Sequence, residues 1–161
     1  VKDKGILERP PRDPNEKLFN ALFVRRVVLI GVLSWIATFV LFLAFTSSHG
    51  LHGEALTQAQ TVAFTTLIVV QTVYLFTARF IYGTAFNFSP FSNKYVIIGA
   101  GATLALQFLI VYADPLFGIS PFRTLPFPAE WWGYIFGVAV ATSLIAELVK
   151  LIERKVTKRV I

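Results

Sequence analysis

Gln71 is the residue whose setting most invites chemistry. It lies near the middle of Ala59–Ala78, AQTVAFTTLIVVQTVYLFTA, a run with no charged residue. At about twenty residues this run is long enough to cross a bilayer as a helix. A side-chain amide at that depth is costly unless another helix, water or an ion satisfies it. Thr65, Thr66 and Thr72 add oxygens close by. Two chemistries fit the amide. It can hydrogen-bond to a neighbouring helix, or its oxygen can ligate a hard cation. Gln107 is a second amide inside an apolar run, with the same need for a partner. Glu147 and Lys150 lie three residues apart and share a helix face, so Glu147 is expected to pair with Lys150 or with an arginine of a neighbouring helix rather than to carry a proton.

His49, His52 and Glu54 are residue types that suit a metal. They sit close together on a short polar stretch with no further ligand in view, so solvated loop residues are the expectation. The chain contains no Cys, which excludes disulfides, thiolate metal sites and Cys nucleophiles. It shows no Gly-rich phosphate loop, no Ser/His/Asp set and no paired carboxylates on one helix face. No catalytic residue and no bound cofactor is expected within it.

The elements that must position these residues are membrane spans. Of the 161 residues, 55% are hydrophobic, and the mean hydropathy is +0.66. That composition excludes an ordinary soluble domain. The predicted fold is an all-α membrane protein, a bundle of four transmembrane helices at about residues 21–46, 59–80, 94–113 and 131–150. Residues 1–20 precede them as a Pro-rich polar segment, and 151–161 follow as a basic tail. Gly31 and Ser34 in the first span, and Gly99 and Gly101 in the third, suggest close helix contacts. Trp35 suits a lipid-facing side, and Trp131 with Trp132 suits the membrane interface. Asp114-Pro115 is expected to end the third span. The stretch from Leu116 to Glu130, rich in Pro, is expected to be a loop.

The distribution of Lys and Arg orients the bundle. The first loop has none and the third has Arg123 alone, whereas the N-terminal segment, the middle connector and the tail together hold the other fourteen. By the positive-inside rule both termini are cytoplasmic. The net charge of +6 therefore flanks membrane spans, and nucleic acid is excluded as a partner. The chain begins at Val1 and contains no Met, so it reads as a piece of something longer.

An ordered set of stretches carries a family resemblance. It begins with Arg9-Pro10-Pro11-Arg12-Asp13-Pro14-Asn15-Glu16 and continues with Phe64-Thr65-Thr66-Leu67 followed by Gln71. Phe91-Ser92-Asn93-Lys94 comes next, then Val111-Tyr112-Ala113-Asp114-Pro115-Leu116 with Pro126 and Trp131 beyond. Glu147-Leu148-Val149-Lys150 closes the set. Together they resemble the C-terminal membrane domain of type II P-type cation-transporting ATPases, the family of the calcium pumps. The resemblance implies that the four spans are membrane helices seven to ten of a parent pump that uses ATP and Mg²⁺. It implies as partners the lipid bilayer, the parent's remaining membrane helices and cytosolic domains, and a transported cation, Ca²⁺ or another small one. It implies an integral, multi-pass location, the plasma membrane in a prokaryote. At Gln71 the family carries Glu or Gln, and Glu there helps bind an ion, which makes Gln71 the candidate metal ligand. Tyr74 and Thr77 stand where relatives often have Asn, a departure from the calcium-pump pattern. The phosphorylated Asp and its D-K-T-G-T motif, and the nucleotide domain, are not in this sequence. The alternative reading is a free-standing four-helix membrane protein with a structural or assembly role.

Overall fold

The computed structural model describes residues 21–78, 94–118 and 122–157. The expected Pro-rich segment, the connector after Ala78 and the end of the tail lie outside them. Four helices make up the regular structure of the described residues: α1 (Ala21–His49), α2 (Gly53–Ala78), α3 (Lys94–Phe117) and α4 (Glu130–Thr157). Each is long and apolar enough to cross a membrane. No strand occurs among the described residues.

The helices run further than the apolar runs that announce them. The stretch after Phe45, expected as a polar loop, is mostly helix: α1 continues to His49 and α2 begins at Gly53. The turn is compressed into Gly50–His52. Gly50 (φ 96°) and Gly53 (φ 59°) take left-handed backbone that a side chain disfavours. Gly50 N–H closes α1 by donating to the Thr46 carbonyl at 2.8 Å.

Asp114-Pro115 does not end α3, which runs on to Phe117. Pro115 removes one backbone donor, but its fixed φ suits a helix and the loss falls in the last turn. One residue before the carbonyl that Pro115 leaves without its donor, the Ile110 carbonyl accepts the Thr124 hydroxyl at 2.7 Å. The terminating residue is Gly118, at φ 66°.

α2 is the hub, packing against α1, α4 and α3, while α1 also meets α4. The core brings together Ala37, Leu41 and Phe45 of α1, Val62, Val69 and Val70 of α2, and Ile135 and Ala139 of α4. Within lipid no hydrophobic force draws apolar helices together, so close packing holds them, and small residues such as Ala37 and Ala139 permit the approach. Among the described residues the expected close contacts at glycine are not made. A β-carbon on Gly31, Gly99 or Gly101 would meet nothing within 4 Å. Trp35 is exposed and stacks on Phe39 at 5.7 Å, as a lipid-facing residue would. Trp131 lies in the first turn of α4 but does not point outward. It is buried and packs edge-on to Phe45 at 4.8 Å. Trp132 donates to the Tyr112 hydroxyl at 3.2 Å and ties the same end of α4 to α3.

Candidate functional site

Polar side chains in the bundle fall at three levels. At the loop end, α2 is strapped to the segment before α4. Gln58 Nε2 donates to the Pro126 carbonyl at 2.7 Å, and the Leu125 N–H donates to Thr61 Oγ1 at 3.2 Å. Arg123 beside them holds φ 51°, a conformation unusual for a residue with a β-carbon. His49 stacks on Phe45 at 4.3 Å and its Nδ1 lies 3.2 Å from the Phe45 carbonyl. No cluster of metal-ligating side chains occurs among the described residues, and His49, His52 and Glu54 form none.

The middle level holds both amides. Gln107 is buried, and its Nε2 donates to Thr65 Oγ1 at 2.8 Å, linking α3 to α2. Its Oε1 takes no hydrogen bond among the described residues. Gln71 bonds in the other direction, to α1: its Nε2 donates to Ser34 Oγ at 3.3 Å. Each amide thus has its own hydroxyl partner across a helix interface, and the two do not meet as a pair. The buried threonines instead turn inward along their own helix. Thr66 donates to the Val62 carbonyl at 2.7 Å and Thr72 to the Ile68 carbonyl at 2.8 Å. Neither hydroxyl donates to Gln71.

Gln71 differs from Gln107 in exposure. From Ala55 onward, the exposed positions of α2 among the described side chains are Gln60, Phe64, Leu67, Gln71 and Leu75. Their spacing by three and four places all five on one stripe. The opposite face carries the buried Ala59, Val62, Thr65, Thr66, Val69 and Val70. The most enclosed helix of the bundle therefore keeps one stripe open, with Gln71 in it. The Gln71 oxygen has no partner among the described residues. An amide held through its nitrogen presents a carbonyl-type oxygen, the kind of atom that hard cations accept.

At the end where α1 starts and α4 finishes, Lys150 Nζ lies 2.7 Å from Glu147 Oε1, with both side chains almost fully buried. Arg25 Nε lies 3.1 Å from Glu153 Oε1 and ties α1 to α4. The first pair is the one expected from sequence. The second was not anticipated, although Arg25 and Glu153 stand in the end turns of two spans that the topology places on one side.

A family model described as "Cation transporting ATPase, C-terminus" matches residues 1–152. The chain is 32% identical over 154 residues to a probable cation-transporting ATPase F of Mycobacterium tuberculosis, covering 95% of this chain and 16% of that protein. It is 33% identical over 142 residues to a calcium-transporting ATPase of Bacillus subtilis, covering 88% and 15% of the two chains. A calcium-transporting ATPase of Listeria monocytogenes matches at 33% over 158 residues, covering 97% and 17%. The chain spans about a sixth of the length of these curated relatives.

Proposed function

This chain belongs to the C-terminal family of cation-transporting ATPases and is an integral, multi-pass membrane protein, and from that premise we propose that it is the support domain of an ATP-driven cation pump. In this reading its four spans brace the ion-binding helices supplied by the rest of the pump, and both termini are cytoplasmic. ATP and Mg²⁺ act on the pump's other domains. The cation is Ca²⁺ or another small ion, and the membrane is the plasma membrane in a prokaryote.

The observation that carries the proposal is the open stripe on α2. A mid-membrane amide facing lipid is costly, whereas one facing further helices or an ion path is satisfied. Gln60, Phe64, Leu67, Gln71 and Leu75 are the face that the remaining helices cover. Ser34 fixes the nitrogen of Gln71, and the oxygen is lent to the transported cation. The departures at Tyr74 and Thr77 make this a single-ligand contribution rather than a full site.

The test uses Gln71→Leu and Ser34→Ala in the full-length protein, measuring the half-activating cation concentration and the melting temperature. Gln71→Leu is expected to weaken apparent cation affinity several-fold, and Ser34→Ala less. If the amide serves only as an α1–α2 tie, both variants lower the melting temperature and leave the affinity unchanged.

A further inference from the structure

We propose that the open pocket between the first turns of α2 and the α3–α4 connection receives a carboxylate side chain from the rest of the pump, held by Arg123. This docking rests on the proposed function, in which further helices cover the open stripe of α2. The pocket has a volume of about 290 Å³. It is lined by Gln60, Thr61 and Phe64 of α2 and by Phe122, Arg123 and Thr124 of the connection. Gln60 and Phe64 are also the first two positions of the stripe, so the pocket continues the face that those helices cover. Phe64 and Phe122 are both exposed, and they form its apolar walls.

The polar groups of the pocket are of two kinds. Thr61 and Thr124 are buried, and both already serve the scaffold. Thr61 Oγ1 donates to the Thr57 carbonyl at 2.8 Å and accepts the Leu125 N–H, while Thr124 donates to the Ile110 carbonyl. Gln60 and Arg123 are exposed, and neither side chain holds a hydrogen bond or ion pair among the described residues. Glu54 and Glu130 open α2 and α4 at this same end, and neither pairs with Arg123. Arg123 is the only Lys or Arg in the two loops on this side. Its backbone stands at φ 51°, and the bonds made by the next two residues, Thr124 and Leu125, hold the turn there. Sparsely populated backbone of this kind gathers at binding sites. A guanidinium fork takes both oxygens of a carboxylate at once, and the Gln60 amide adds another donor. A small free anion would use these donors and leave Phe64 and Phe122 wet. An acidic residue in a polypeptide also brings apolar neighbours to cover them. The chain covers 16% of the mycobacterial relative, so in the proposed pump the larger part of the polypeptide is available to supply that segment.

In the reconstituted full-length protein, Phe122 is replaced by the photoreactive p-benzoylphenylalanine, and Leu67 is replaced likewise in a parallel sample. Adducts formed on illumination are mapped by mass spectrometry. The Phe122 probe is expected to join a segment outside the 161 residues of this chain, beside an Asp or Glu. Arg123→Asn removes the charge and keeps a residue type at ease at positive φ. It should lower the Phe122 adduct about fivefold and leave the Leu67 adduct unchanged, whereas Arg123→Lys should keep most of both. Arg123→Glu combined with Lys in place of the mapped acidic residue should restore the Phe122 adduct. Adducts confined to lipid or to this chain's own residues would overturn the docking. A yield untouched by Arg123→Asn would overturn it too, since that is how a solvated arginine behaves. An adduct to the rest of the pump from Leu67 but not from Phe122 would remove the docking and leave the proposed function standing. No such adduct from either probe would remove both.

Discussion

Gln107 and Thr65 test how a buried amide is held in this bundle. Gln107 donates to Thr65 while its own oxygen takes no bond among the described residues. Removing a buried partner costs more than removing both groups, because the survivor keeps its desolvation penalty. Thr65→Val is therefore expected to destabilise by about 1–2 kcal/mol. Gln107→Leu should cost less, because it also removes the unsatisfied oxygen. The double variant should be milder than Thr65→Val alone, as a double-mutant cycle of thermal stabilities would show. Both amides were legible in the sequence as residues needing partners, since an amide in an apolar run stands out. Their partners were not. Gln107 could equally have met Gln71, and the choice of Thr65 and Ser34 is set by how the helices are rotated about their axes. A single sequence with so many apolar positions on every face does not report that rotation.

At the scale of the element, α4 carries a buried ion pair in one turn of helix. Breaking a buried pair by removing one partner leaves an uncompensated charge, whereas removing both can be nearly neutral. Glu147→Gln and Lys150→Met are each expected to lose about 3 kcal/mol. The double variant should recover most of that in a thermal or denaturant melt. A loss in the double variant equal to the sum of the two single losses would show that the two charges are not coupled. This pair could be read directly from sequence, because its spacing lies within one element. Helix ends were less legible. Asp114-Pro115 looked like a stop, yet one missing donor in a last turn is tolerated and Gly118 supplies the actual one. The stretch holding His49 and His52 looked like a loop because it is polar, although polar residues extend a helix readily once it leaves the membrane. The burial of Trp131 against Phe45 was not legible, because it depends on a contact 86 positions away in sequence.

For the whole molecule, the charge distribution predicts topology, and the absence of Cys makes it testable within this chain. In a full-length background freed of other cysteines, Ser48→Cys and Ser120→Cys should react with an impermeant reagent added outside intact cells. Ser89→Cys should react only after permeabilisation, and its labelling from outside would reverse the orientation. The four-span architecture was legible because about twenty apolar residues between charged flanks leave few alternatives. The arrangement around α2 was not, because in lipid the exposed and buried faces of a helix are both apolar. The central claim, that α2 turns its open stripe toward the rest of a pump, is tested most directly by the lipid accessibility of one stripe residue. A spin label at Leu67→Cys in the reconstituted full-length protein is compared with one at Leu106→Cys, on the exposed face of α3. The account predicts that oxygen dissolved in the bilayer relaxes the Leu106 label strongly and the Leu67 label weakly. Equal relaxation at both positions would contradict it, because α2 would then face lipid and brace nothing.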